Sequence, residues 1–130
     1  QPIQETASYK FWPQIIESQG RSLGVVLSSR LCEGAKAKLS SDPLAMTYKE
    51  LRKIFKDSCG TQEGYLSPQH PVLETVLRML LTAKTDTLSL NHIHDQVSSL
   101  WLTSTWPRHI NIDAMRRVLD SASAYGIIRS

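Results

Sequence analysis

At 130 residues the chain is long enough to bury a core without disulfide or metal staples. With 15 Lys and Arg against 12 Asp and Glu the net charge is +3, a mild excess that permits nucleic-acid binding without demanding it. No apolar run approaches the ~18 residues of a membrane span, and no basic start leads into an apolar stretch as in a signal peptide, so a soluble domain without a membrane partner is expected.

The chain opens at Gln1 rather than Met and is read as a fragment or a processed product. Phe11, Trp12, Ile15 and Ile16 recur at helical spacing, with Pro13 tolerated in a first turn and Gly20 ending the helix. From Ser22 a longer helix is expected, with Leu23, Val26, Leu27, Leu31, Cys32 and Ala35 on one stripe until Ser40-Ser41-Asp42-Pro43 breaks it. These two helices would form a hairpin. Cys32 and Cys59 fit neither a CxxC nor a Cys/His spacing, and Cys32 reads as a small core residue. Disulfide-dependent secretion is not expected, and an intracellular location is.

Thr47-Tyr48-Lys49-Glu50 is a capping box, with Met46 and Leu51 in hydrophobic-staple positions. The helix it starts would bury Tyr48, Leu51, Ile54 and Phe55 and end at Ser58-Cys59-Gly60. A polar loop, Thr61 to Gln69, leads to Pro71 and marks a soft boundary between a helical extension, residues 1–60, and a second unit, residues 71–130.

In the second unit Val72, Leu73, Val76, Leu77, Leu80 and Leu81 give a wide apolar face on a helix from Val72 to Ala83. A short extended piece, Thr85 to Leu88, precedes a helix from Leu90 to Trp101 capped by Ser89, with Leu88 and Ile93 as its staple. After the loop Leu102 to Pro107, Asn111 caps a third helix, Ile112 to Ala124. Ile110 and Met115 are its staple, Ile112, Met115, Val118, Leu119 and Ala122 its inward stripe, and Gly126 the left-handed residue that ends it. Ile127-Ile128-Arg129 follows as a strand.

Helix, short strand, helix, helix and strand is an order that resembles the winged-helix (helix-turn-helix) superfamily over residues 71–130. The run from Met115 to Ile128 is similar to a winged helix's third helix and the strand that starts its wing. The fold expected is therefore mainly α, a winged-helix-like three-helix core with a minimal β component and an N-terminal helical extension. The resemblance implies that the third helix enters the DNA major groove in DNA-binding relatives, while other relatives use the same core for docking proteins. Its outward residues here are Asp113, Arg116, Arg117, Asp120 and Ser121, and Arg108 and His109 add charge at its approach. Asp113 and Asp120 offset both arginines within the helix, so a solvated, internally paired face is an equal reading.

The stronger basic feature is Lys49, Arg52, Lys53 and Lys56, at i, i+3, i+4 and i+7 on one helix face. Taken alone, with Glu50 and Asp57 nearby, it reads as an ordinary solvated helix face; coupled to a winged helix, such a stripe can follow a phosphate backbone. Among the aromatics, Trp106 before Pro107, and Phe11 with Trp12, are candidate partner anchors, although a lid on the core is the favoured reading of Trp106. His92 and His94 are two apart and point different ways on a helix, and His70 and His109 lack Cys or carboxylate partners at ligand spacing, so no metal site is expected. No GxSxG, HExxH, P-loop or GxGxxG occurs; neither an enzyme, a cofactor nor a small-molecule substrate is expected. Two functions remain: a DNA-binding module of a regulatory or DNA-processing protein, or a protein-interaction module within a larger assembly.

Overall fold

The structure is a computed structural model that describes residues 7–39, 42–104 and 108–130. It is mainly α, with one small antiparallel sheet. In chain order come β1 (Ser8–Phe11), α1 (Pro13–Ser18), α2 (Leu23–Ser28), α3 (Glu33–Ala37), a 3-10 turn (Pro43–Ala45), α4 (Tyr48–Ile54) and a π-helical turn (Phe55–Cys59). The second half holds α5 (Val72–Thr82), β2 (Leu88–Ser89), α6 (Leu90–Trp101), α7 (Ile112–Asp120), a 3-10 turn (Ser123–Tyr125) and β3 (Ile127–Arg129).

Strand order in the sheet is β2-β1-β3, so the N-terminal strand lies between two strands from the other end of the chain. Tyr9 pairs with Leu88 on one side and Arg129 on the other, and Phe11 pairs with Ile127. The backbone bonding extends past the strand ends: Leu90 N donates to Ala7 O at 2.8 Å, Ser130 N to Ser8 O at 2.9 Å, and Trp12 N to Gly126 O at 2.7 Å. Strand β1 corrects the helix expected around Phe11 and Trp12. Ser8-Tyr9-Lys10-Phe11 alternates polar and aromatic, which places Tyr9 and Phe11 together on the buried face. Only from Pro13 does the chain turn helical, with proline at a position that needs no N–H.

The single long helix expected from Ser22 is two short ones. Ser29 Oγ and Arg30 Nη1 both donate to Val26 O, at 3.0 and 2.8 Å, and cap the end of α2. Leu31 and Cys32 then run extended and both are buried. The break lets Arg30 reach α5, where its guanidinium grips Glu74 with Nε at 2.9 Å and Nη2 at 2.8 Å. Arg78 Nε adds a third bond to Glu74 at 3.0 Å, and Arg78 Nη1 donates to Tyr65 O, while the Tyr65 hydroxyl donates to Arg30 O at 2.7 Å. Burial opposes charge on Glu74, but the hydrogen bonds of Arg30 and then Arg78 outweigh it and hold the carboxyl below its ordinary range.

Three helix starts form as the caps dictate. Thr47 and Glu50 make the reciprocal capping box, Ser89 Oγ accepts from His92 N at 3.1 Å, and Asn111 Oδ1 accepts from Ala114 N at 2.8 Å. Val76, Leu77, Leu80 and Leu81 of α5, Ile93 and Val97 of α6, and Met115 and Leu119 of α7 are buried in one core with Tyr9, Phe11 and Ile127 of the sheet. Helix α7 stops at Asp120 rather than Ala124, because Ser123–Tyr125 tightens into a 3-10 turn before Gly126.

Gly126 has φ +74°, and a Cβ built there would lie 2.5 Å from Phe11 Cε1 and 3.2 Å from Ile16 Cγ1. Both the backbone region and the approach of β1 require glycine. Gly126→Ala is expected to lose about 2–4 kcal/mol of stability, read from the urea midpoint with an unchanged slope. A loss under ~1 kcal/mol would show that β1 does not pack against the turn before β3.

Candidate nucleic-acid interface

Helix α4 starts at its capping box, buries Leu51 and turns Lys49 and Lys53 to solvent; Phe55, in the π-helical turn that continues it, is buried as well. The continuation accepts an i to i+5 bond, Gly60 N to Phe55 O at 3.2 Å, and keeps Lys56 on the exposed side. Of the four cations read from the sequence, three are therefore available at the surface. Among the described residues Lys49 and Lys56 have no ion pair. Lys53 Nζ lies 3.2 Å from Asp57, an exposed i, i+4 pair of little energetic weight.

Arg52 has a different role. Its side chain is only 11% exposed, and its Nε donates to Leu81 O at 2.9 Å while Nη2 donates to Ala83 O at 2.7 Å and Thr85 O at 2.9 Å. These carbonyls lie at and just beyond the end of α5, where a helix leaves acceptors without internal donors and favours a cation. Arg52 thus docks α4 on α5 and is the floor of the basic face rather than a free contact.

Two adjoining hollows join this face to β1. One, of about 560 Å³, runs along Lys49, Lys53 and Lys56 with Tyr48, Arg52 and Asp86. The next, of about 350 Å³, shares Tyr48, Arg52 and Asp86 and continues to Lys10, Trp12 and Gln14. Trp12 is 40% exposed, with the Lys10 ammonium 4.4 Å from its ring centroid. Phe11, read as a partner anchor, is 6% exposed; it packs under Gly126 and against Tyr48, with ring centroids 5.6 Å apart. Its place on the inward side of β1 removes it from the surface and leaves Trp12 as the exposed aromatic of the pair. Trp106 lies outside the described residues.

The third helix carries less free charge than its sequence suggests. Arg116 lies 3.9 Å from Asp113 and 3.7 Å from Asp120. Asp120 is also held by Arg129 Nη2 at 2.8 Å and by the Tyr9 hydroxyl at 2.8 Å. Burial resists charge on Asp120, yet the bonds from Arg129 and then Tyr9 win and keep its carboxyl below the usual range. The same contact, together with burial as the larger cause, pushes the Tyr9 phenol up to about 12. Arg117 and His109 are exposed. Arg108 is not free: Nη2 donates to Pro68 O at 2.7 Å and His70 O at 3.2 Å, and the guanidinium stacks 4.0 Å over the Trp101 ring. It therefore sits before the start of α5 while Arg52 sits at its end, with the 11-residue helix, about 16 Å long, between them.

Lys10, Tyr48 as a surface ring, and Asp86 are parts of the groove that sequence reasoning missed. The alternation Tyr9-Lys10-Phe11 was the available signal for Lys10; nothing local to Asp86 points to α4. Comparison with protein-family models, with curated proteins and with solved structures finds no match. Among the described residues, no cluster of three His, Cys, Asp or Glu could hold a metal ion, and no helix is long and apolar enough to cross a membrane.

Arg52→Met keeps the apolar stem and removes the donors from three carbonyls. Thermal or urea unfolding should register a loss of about 1–3 kcal/mol, and Arg52→Lys should recover little of it because one ammonium cannot reproduce the guanidinium fork. Full stability in Arg52→Met would mean that α4 is held by its apolar side alone.

Proposed function

We propose that this chain is a nucleic-acid-binding module of the winged-helix type whose contact surface is the groove between β1 and α4. The winged-helix reading draws support from the order α5, β2, α6, α7, β3, and from β1, which fills the middle of the sheet beside β3 where a returning wing strand would lie. The observation that carries the functional reading is the groove: Lys49, Lys53 and Lys56 line one hollow, Lys10 and the exposed ring of Trp12 line the next, and the half-buried ring of Tyr48 is shared by both.

That combination suits a single strand better than a duplex. Cations spaced along a helix follow phosphates, and an exposed aromatic ring beside them offers a platform for an unpaired base. Duplex reading by α7 is the weaker use of this fold, because Arg116 faces two aspartates and Arg108 is tied to backbone carbonyls. The protein-docking reading rests on other ground, the exposed side chains of Val25 and Leu44 on the adjoining α2 and 3-10 turn.

Fluorescence titration with labelled oligothymidylate across a salt series separates these readings. The wild-type protein is expected to bind with a salt dependence that flattens by about 2 units of log affinity per log salt in the Lys49→Ala, Lys53→Ala, Lys56→Ala variant. Trp12→Ala should weaken binding about 5- to 100-fold with its salt slope intact, since it removes stacking rather than charge. Arg116→Ala with Arg117→Ala should bind as the wild type does. No binding below millimolar at low salt, on single strand or duplex, or loss of affinity only in the arginine variant, would overturn the proposal.

A further inference from the structure

Cys32 and Cys59 are far apart in sequence, yet the fold sets their side chains against each other. Cys59 Sγ lies 2.7 Å from Cys32 Sγ, and the Cys32 backbone N–H donates to Cys59 Sγ at 3.3 Å. Cys32 Sγ also contacts Ser58 O at 3.5 Å. Both thiols are free and buried. The extended stretch between α2 and α3 brings Cys32, the residue that precedes α3, down onto Cys59, the last residue of the π-helical turn.

The two are not equally accessible. A surface hollow of about 230 Å³ has Cys32, Glu33, Gly64, Tyr65 and Arg78 among its walls, and Cys59 is not one of them. Cys32 keeps 7% of its surface exposed and Cys59 none, so Cys32 is the residue of the pair nearer to solvent. We propose that Cys32 and Cys59 form a thiol–disulfide exchange site that takes a small dialkyl disulfide and closes to an intramolecular Cys32–Cys59 bond.

In the first step Cys32 loses its proton to solvent, and its thiolate attacks one sulfur of the dialkyl disulfide. The bond between the two reagent sulfurs breaks, and one leaves as a thiolate that takes up a proton. In the second step Cys59 gives up its proton and attacks Cys32 Sγ, the mixed disulfide breaks, and the second reagent thiol leaves. The protein's two thiols have lost two electrons, and the dialkyl disulfide has gained them as two thiols. Closing the bond needs an approach of less than ~1 Å from the present sulfur separation. Burial, the largest influence on Cys59, pushes its thiol up, so Cys59 suits the role of the internal, late-reacting partner.

The bond would close a loop that contains α3 and the whole basic helix α4. Incubation of the folded protein with hydroxyethyl disulfide, followed by denaturation, alkylation and intact-mass analysis, tests this. The expected product is lighter by two hydrogens, takes no alkyl group, yields a linked Cys32–Cys59 peptide, and melts about 10 °C higher than the dithiol form until dithiothreitol is added. Cys59→Ser should stop at one hydroxyethylthio adduct on Cys32, and Cys32→Ser should leave Cys59 unmodified while folded. Two alkylated thiols after exhaustive incubation of the wild-type protein, a bond between molecules, or an adduct on Cys59 in folded Cys32→Ser would overturn the proposal; the wild-type mass and melting data decide it even where a variant does not fold.

Discussion

The constraint on which the rest of the structure depends is the pairing of β1 with strands from the far end of the chain. Among the described residues β2 and β3 each pair only with β1, so a four-residue segment supplies the backbone partners for both. Short strands of two and three residues have almost no stability of their own, because each backbone bond must offset the cost of fixing its residues. What sustains them is the side-chain layer that β1 brings. Tyr9 closes on Asp120 and Arg129, and Phe11 fills the space over Gly126 and against Tyr48. Trp12 follows directly and is held by its N–H on Gly126 O, which is why its ring emerges beside α4.

Two polar linkages then fix the helices around that strand, and magnitudes separate them from the surface pairs. Glu74 receives both arms of Arg30 and a bond from Arg78, with all three side chains under one-fifth exposed. Such charge-assisted, partly buried contacts are costly to break singly, since each loss strands a desolvated partner. Arg52 on the end of α5 belongs to the same class. The exposed Lys53–Asp57 and Lys36–Glu33 pairs contribute little by comparison. The arginines therefore position elements while the lysines remain at the surface. That division leaves the α4 groove with exposed lysines over a floor tied down by the Arg52 hydrogen bonds.

The helix starts were legible because their signals are local: a cap, a staple and an apolar stripe lie within eight residues of one another at Thr47, Ser89 and Asn111. The buried faces of α5, α6 and α7 followed from the same periodicity. Strand β1 was obscured because Phe11, Trp12, Ile15 and Ile16 satisfy helical spacing even though the strand's own alternation ends at Phe11. The break after Ser28 was invisible for a different reason: it serves Arg30's grip on Glu74, a contact that no local pattern records. The basic stripe on α4 was readable as a stripe. That Arg52 would leave it for α5, that Arg108 would be tied to backbone carbonyls, and that Lys10 and Trp12 would join it, all depend on tertiary contacts. The thiol pair was likewise hidden, since spacing of 27 residues matches no motif and only the extended approach to α3 brings the sulfurs together.

The strand, the floor and the lysines carry the proposed function, in which unpaired nucleic acid would lie along the groove from Trp12 to Lys56. Backbone amide chemical shifts followed by NMR during titration with unlabelled oligothymidylate test it most directly. The account predicts that the largest changes fall at Lys10–Trp12 and across Tyr48–Lys56, with Ile112–Asp120 nearly unmoved. Changes centred on α7, or none anywhere at low salt, would contradict it.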